Sequence, residues 1–503
     1  MNSVECRRIL GFVLTASFAF FCAGCVGYVD RGNSTPPANP GPLAAGNINL
    51  IFVVSGDLDY QTAGDISAST GNLTNQGLQR SLLMAPFLEK NVLGMNNVTG
   101  IYALEPMTHQ QTTNEYPDMA AAETIEQFAL LNQITLSSNL TGGALYTGNN
   151  FPIYATYALG SVPSGVAEPL SACPNCQGLD FNDLGGDNET LITGIINAGV
   201  AGYYVFSAPW ETTRSLLANT NTFEHYHLNP PWGFPGANFI YAISIPPSGP
   251  ASLAIYNSGV NPPNTYPVLP PPALISAACT TNVPPSITVT VGVNGATIPP
   301  GANTKETLYF VRHAEAHPQG YWSDNNYVGA GQWRALDLPN ALLGKVSPNQ
   351  VWAGDISQFS IGTTTISGED LWSGVAPALT VEPYAIANNL PYYLVSSFEL
   401  ATPTTTLAQQ GQQVSNFFFT GGKFTGQKVL VVWSYQQINP IVNALLASYY
   451  PGNPTPPTSP IWSPTDYDSI WTLTVDGSGN LTADFTKCEG ISSAALPAAA
   501  PQF

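Results

Sequence analysis

Two kinds of hydrophobic pattern alternate along this chain. Short apolar runs bounded by Gly, Pro, Asn or Ser read as buried strands, and longer stretches with helical spacing read as packed helices. The first strand is Asn47–Val54. An amphipathic helix then runs from Leu73 through Leu88, with Leu82, Leu83, Pro86 and Phe87 facing the core. A strand at Gly100–Ala103 follows, then a helix over Tyr116–Ala129, a strand at Ala201–Ala208, a helix over Thr212–Ala218 and a strand at Phe239–Ile243. The same order recurs at Leu308–Val311, Gly331–Leu343, Gln350–Ala353, Trp372–Ala385, Lys428–Tyr435, Ile438–Tyr449 and Ser469–Val475. Strands alternating with helices predict α/β architecture, here two tandem three-layer α/β/α sandwiches with mainly parallel sheets.

The two series also match residue by residue, as an internal repeat does. Phe52-Val53-Val54-Ser55-Gly56-Asp57 aligns with Phe310-Val311-Arg312-His313-Ala314-Glu315. Gly77-Leu78-Gln79-Arg80 aligns with Gly331-Gln332-Trp333-Arg334, and both arginines read as solvated helix residues. Thr124-Ile125-Glu126-Gln127-Phe128-Ala129 aligns with Thr380-Val381-Glu382-Pro383-Tyr384-Ala385. The expected division is a first half at 47–283, a linker at 284–305 and a second half at 306–503. Gly249–Pro272 and Pro451–Pro464 read as Pro/Gly-rich surface loops.

Composition places the chain outside the cytosol. Of 503 residues only 9% are charged, while Gly (46) and Pro (44) are abundant. Thirteen Lys+Arg against 32 Asp+Glu leave a net charge of −19, which repels nucleic acid and weighs against phosphorylated substrates. Arg7 and Arg8 precede an apolar run, Ile9–Phe21, and then Cys22-Ala23-Gly24-Cys25, the layout of a signal peptide over 1–25. Its ending resembles a bacterial lipobox, which makes Cys25 the lipidated residue and the cell envelope, at the outer membrane, the expected location. Residues 26–46 read as a tether. Removing Cys6, Cys22 and Cys25 leaves Cys173, Cys176, Cys279 and Cys488, an even number that points to disulfides in an exported protein. Cys173 and Cys176 lie close enough for a local bridge, whereas Cys279 and Cys488 fit pairing within each half or with each other.

The chemistry concentrates after one strand, where Arg312 and His313 lead to Glu315. Open α/β sheets place ligand chemistry at such carboxyl ends. The segment resembles the opening motif of the histidine phosphatase (phosphoglycerate mutase-like) superfamily. That resemblance implies His313 as phosphoryl-accepting nucleophile and Arg312 as phosphate-holding cation. Glu315, Glu382 and Asp355 are the candidates to protonate a leaving group. The resemblance also implies a second arginine where Ala376 stands (Ala120 in the first half) and a second histidine where Tyr435 stands (Ala208 in the first half). Tyr435 can donate one hydrogen bond to phosphate but carries no positive charge near neutral pH.

Three readings follow. In one, the chain is an exported lipoprotein that keeps the fold, binds a small phosphorylated or anionic ligand or serves structurally, and has lost turnover. Removing one preorganised donor costs about 3–4 kcal/mol of transition-state stabilisation, and here two are missing. In the second, it is a phosphomonoester hydrolase acting through a phosphohistidine at His313. In the third, His313, Glu315 and His317 ligate a metal from one face of a strand. His109, His225 and His227 read as surface or packing residues. The preferred reading calls for no metal and no cofactor.

Overall fold

The computed structural model describes residues 38–60, 64–114, 116–132, 153–155, 178–183, 185–275, 279, 284–316, 326–354, 356, 359–360, 371–372, 375–395 and 406–503. Cys25, Cys173, Cys176, His317, Asp355 and the signal segment therefore lie outside the described residues.

Strands β1 (Ile48–Val54), β2 (Gly100–Ala103), β5 (Ile153–Tyr154), β6 (Gly202–Ala208), β7 (Phe239–Ile245) and β8 (Ser252–Asn257) form a sheet of order β5-β2-β6-β1-β7-β8. A two-residue ribbon, β3 (Gln110–Gln111) with β4 (Tyr116–Pro117), sits beside it. The second sheet holds β9 (Ile287–Val289), β10 (Glu306–Arg312), β11 (Gln350–Gly354), β14 (Tyr392–Val395), β15 (Lys428–Trp433), β16 (Ser469–Val475) and β17 (Leu481–Cys488), in the order β14-β11-β15-β10-β16-β17-β9. A second small ribbon pairs β12 (Phe359–Ser360) with β13 (Leu371–Trp372). Four neighbouring strands of each sheet run parallel, and the next one, β7 or β16, reverses. Apart from the edge strand β9, the two orders and senses coincide.

The helices are α1 (Asn75–Phe87), α2 (Ala120–Leu131), α3 (Asp187–Ala198), α4 (Trp210–Phe223), α5 (Gly329–Ala341), α6 (Val375–Asn388), α7 (Leu407–Phe419) and α8 (Tyr435–Ser448). Strand alternation decides which core each residue joins. Leu308 and Phe310 pack with Val414, Phe418 and Ile438 of α7 and α8, whereas Tyr309 and Val311 join a cluster that includes Val381 and Ala385 of α6. That second cluster runs on without a break into Ile125, Phe128 and Phe52 of the first half. Helices α2 and α6 are accordingly apolar almost all round and buried on nearly every face. Residues Pro40–Phe503 make one compact unit.

Several expectations change. The segment 284–305 does not simply connect the halves, because Ile287–Val289 pairs antiparallel with Leu481–Ala483 as the edge of the second sheet. The Gly249–Pro272 stretch contains strand β8, and its continuation runs along α1, where Gln79 reaches Thr265, and on to the second half. There the Tyr266 hydroxyl donates to the Leu336 carbonyl of α5 (2.8 Å), and Ile275 bridges Ile491. In return, the carboxyl-terminal tail reaches α2, where Gln127 donates to the Pro501 carbonyl (2.9 Å). Each half thus lays a strap on the other. The alternatives for Cys279 and Cys488 resolve into one bridge between the halves, with Cα atoms 5.6 Å apart.

That bridge closes a loop with a sequence separation of 209, for which chain entropy alone sets a stabilisation of up to about 5 kcal/mol. Replacing both Cys279 and Cys488 by Ser lowers the urea midpoint of the oxidised protein. An unchanged midpoint refutes the bridge as a stabilising element.

Candidate functional site

Strand β10 lies at the centre of its sheet, parallel to β15 and antiparallel to β16, so its last residues emerge beside the end of β15. The His313 amide donates to the Trp433 carbonyl (3.0 Å), which fixes the backbone where the side chain leaves the sheet. The imidazole Nδ1 lies 2.8 Å from the Ala314 carbonyl oxygen. A carbonyl only accepts, so Nδ1 carries the hydrogen and Nε2 keeps its lone pair. Burial, reinforced by the adjacent Arg312 charge, pushes the His313 pKa down to about 3. The ring is therefore neutral at any physiological pH, the state a nucleophile needs.

Arg312 does something different. Its guanidinium carbon sits 3.6 Å from the ring centre of Tyr467 and 4.4 Å from that of Tyr435. Its Nη1 donates to the carbonyls of Pro464 (2.6 Å) and Asp466 (3.3 Å). The side chain is 4% exposed. These contacts pin the loop before β16, where Trp462 is buried, so this part of the expected surface loop is tied down from within. Tyr435 spends its ring on Arg312, and its hydroxyl takes a long contact from Gln436 Nε2 (3.4 Å).

Glu315 leaves the set of proton donors, because its carboxylate is fully engaged elsewhere. Arg334 reaches it through Nε (2.9 and 3.1 Å) and Nη2 (2.7 Å), and the Ser493 hydroxyl adds a 2.6 Å bond. Arg334 also donates through Nη1 to Glu489 (2.5 Å) and through Nη2 to the Ile491 carbonyl (3.1 Å). The expectation of a solvated Arg334 is wrong: the residue is wholly buried, tying the catalytic-type loop, α5 and the tail together. Burial pushes the Glu489 pKa up to about 8 despite this arginine. Arg80 has the same role on a smaller scale, donating through Nε to both oxygens of Asp65 (3.0 and 3.2 Å) and through Nη1 to Asn238 and the Val260 carbonyl.

This pairing corrects the repeat alignment. Asp65, not Asp57, is the counterpart of Glu315. Both Gly77 and Gly331 pass so close to a loop carbonyl that a Cβ would lie 2.3 Å from Asp65 O or 2.5 Å from Glu315 O. Glycine is required at both places, and the spacing Gly-x-x-Arg was the signal available in the sequence.

The remaining residues scatter. Glu382 is fully buried in α6 between the halves, so it is not a leaving-group acid. Ala376 and Ala120 stand near the starts of α6 and α2. Among the described residues no group of three or more His, Cys, Asp or Glu side chains is placed to hold a metal ion, and Glu315 is committed to Arg334. His109, read as a packing residue, does pack: its ring stacks on Phe181 with centroids 3.7 Å apart. It also donates through Nδ1 to buried Asp118 (2.7 Å), a partnership the sequence reading missed. Desolvation works against the charged imidazole, but Asp118 outweighs it and the pKa ends above its ordinary value.

No family model matches the chain, and no curated protein matches it. Solved structures of phosphatases with the phosphoglycerate mutase-like fold do. A mycobacterial glucosyl-3-phosphoglycerate phosphatase matches at 12% identity over 36% of this chain and 98% of its own, with a TM-score of 0.24. A phosphoserine phosphatase from Entamoeba histolytica, a histidine-to-alanine mutant holding phosphoserine, matches at 11% over 36% of this chain and 96% of its own, with a TM-score of 0.22.

Two outcomes test the geometry. Arg334→Met strands Glu315 and Glu489 in the interior and costs about 3–5 kcal/mol in urea unfolding, the typical loss on breaking a buried ion pair. A loss below 1 kcal/mol contradicts the network. Nitrogen-15 NMR of His313 shows a neutral Nδ1–H ring throughout pH 5 to 8, and titration near the ordinary value of 6.5 refutes that assignment.

Proposed function

We propose that this chain is an exported, lipid-anchored protein of the bacterial cell envelope, built from two diverged copies of a histidine-phosphatase-like unit, and that it has lost phosphoryl-transfer turnover. The observation that carries the reading is the state of Arg312. Its guanidinium is held by two loop carbonyls and two tyrosine rings, where an active site needs it turned to a phosphate.

Three equatorial oxygens of a transferring phosphoryl group need several positive donors. The other cations of the second half have different positions or partners. Arg334 holds two glutamates, Lys345 donates to the Glu489 carbonyl, and Lys487 donates to the Lys345 carbonyl. Lys423 lies over Trp352 and Phe417, while Lys305 and Lys428 stand at the opposite ends of β10 and β15 from His313. The chain's net charge of −19 disfavours phosphorylated ligands further. The matching sheet orders and the shared Gly-x-x-Arg device support the two-copy origin.

A second reading rests on one specific feature. His313 is neutral, and its Nδ1 hydrogen is donated away, so Nε2 is presented as a nucleophile would be. In this reading the chain is a phosphomonoester hydrolase with a phosphohistidine intermediate at His313.

Purified mature protein decides between them. The first reading predicts no phosphate release from an aryl phosphate above buffer, and no thermal shift with phosphate or vanadate. Release that disappears in His313→Ala overturns it in favour of the second. The anchor has its own test: Cys25→Ala moves the protein from the membrane fraction to the soluble one, and an unchanged distribution rejects lipidation there.

A further inference from the structure

Where α2 meets α6 the interface between the halves buries three carboxyls, and among the described residues no base pairs with them. Helix α2 carries Glu123 and Glu126, and α6 carries Glu382, with side chains 4%, 1% and 0% exposed. Glu126 and Glu382 occupy the same place in the internal repeat, and the two helices pack against one another. Both oxygens of Glu382, Oε2 of Glu123 and Oε1 of Glu126 have no hydrogen-bond partner among the described residues. The other Glu126 oxygen accepts from Asn326 Nδ2 (2.6 Å), which reaches across from the second half.

Among the described residues, the surroundings supply no counter-charge. Asp118 precedes α2, with His109 committed to it. Tyr327 faces all three glutamates from the entrance to α5, and Tyr266 faces Glu123 from the first half's strap. Asp337 of α5 faces Tyr266. The arginines on the adjoining helices, Arg80 of α1 and Arg334 of α5, are committed to Asp65, Glu315 and Glu489. Three charged carboxylates in such a place repel one another and forfeit their hydration, whereas three protonated ones do neither.

We propose that these glutamates form a proton-operated latch between the halves, shut while they carry protons and loosened when they ionise. The direction of the pH effect follows from linkage. Burial raises Glu123 to about 8 and lifts Glu126 and Glu382 well above the ordinary value of 4.5. An acid whose pKa is higher folded than unfolded contributes full stability below its unfolded value and loses it as pH rises towards its folded value. The latch therefore holds best near pH 4.5 and weakens towards pH 8 and beyond, by up to about tenfold in the folding constant per pH unit for each group.

The test is calorimetric melting of the full mature chain, disulfide intact, between pH 4.5 and pH 8. Glu382→Gln, isosteric and unable to ionise, makes the decline with pH shallower by up to tenfold per unit, whereas Glu224→Gln, away from the cluster, runs parallel to the parent. A parallel curve for Glu382→Gln overturns the latch. Should that variant fail to fold, isotope-edited infrared spectroscopy of glutamate-labelled parent protein decides. A protonated carboxyl band that persists at pH 7 and shrinks in Glu126→Gln supports the proposal, and a band unchanged in that variant, or no band, rejects it. Amide exchange corrected for intrinsic rate adds the location: protection falls with pH in α2 and α6 while α7 and α8 hold, and a uniform change across all four overturns the assignment to the interface.

Discussion

Everything in this molecule leans on the contact between its two halves. Helices α2 and α6 have too little polar surface to face water, so each needs the other half as its solvent. The resulting core is shared: Phe52 and Phe128 belong to one cluster with Val311 and Val381. The straps and the Cys279–Cys488 bridge lie over a contact that apolar burial already drives. In the same way, Arg334 joins the loop after β10 to α5 and the tail by satisfying two carboxyls that could not stay buried alone.

The loop after β10 shows how differently an imidazole and a cluster of cations are placed. A strand end, one backbone bond to Trp433 and one carbonyl acceptor suffice to aim a neutral imidazole. Those constraints are local to the backbone and cost little. Charge neutralisation is not local, since it needs cations brought from several elements. In a chain with thirteen lysines and arginines, those near this sheet brace loops, cap carbonyls or cover aromatic rings. Arg312 itself is a clasp between Tyr435 and Tyr467, and the loop from Pro464 to Asp466 closes on it.

The two halves share packing devices more than surface chemistry. At Gly77 and Gly331 a loop carbonyl occupies the space of any side chain, and Arg80 and Arg334 each hold an acid. Asp65 and Glu315 fill one structural role although their distances from the preceding strand differ, which is why aligning Asp57 with Glu315 by strand position failed.

Periodicity and punctuation in the chain were enough to determine the alternation of strands and helices, the doubling of that series and the exit of Arg312 and His313 from a central strand, because these depend on neighbours in sequence. The short strands β5 and β8 escaped notice, as did the regular helices α3 and α7, since their stability comes from the edges and faces they cover. The fate of each ionisable group was likewise decided in three dimensions. Arg334 looks like any surface helix arginine until Glu315 and Glu489 converge on it, and Glu382 looks like a leaving-group acid until α2 packs against its helix. Charge depends on what lies within a few ångströms, and residues far apart in the chain supply those neighbours.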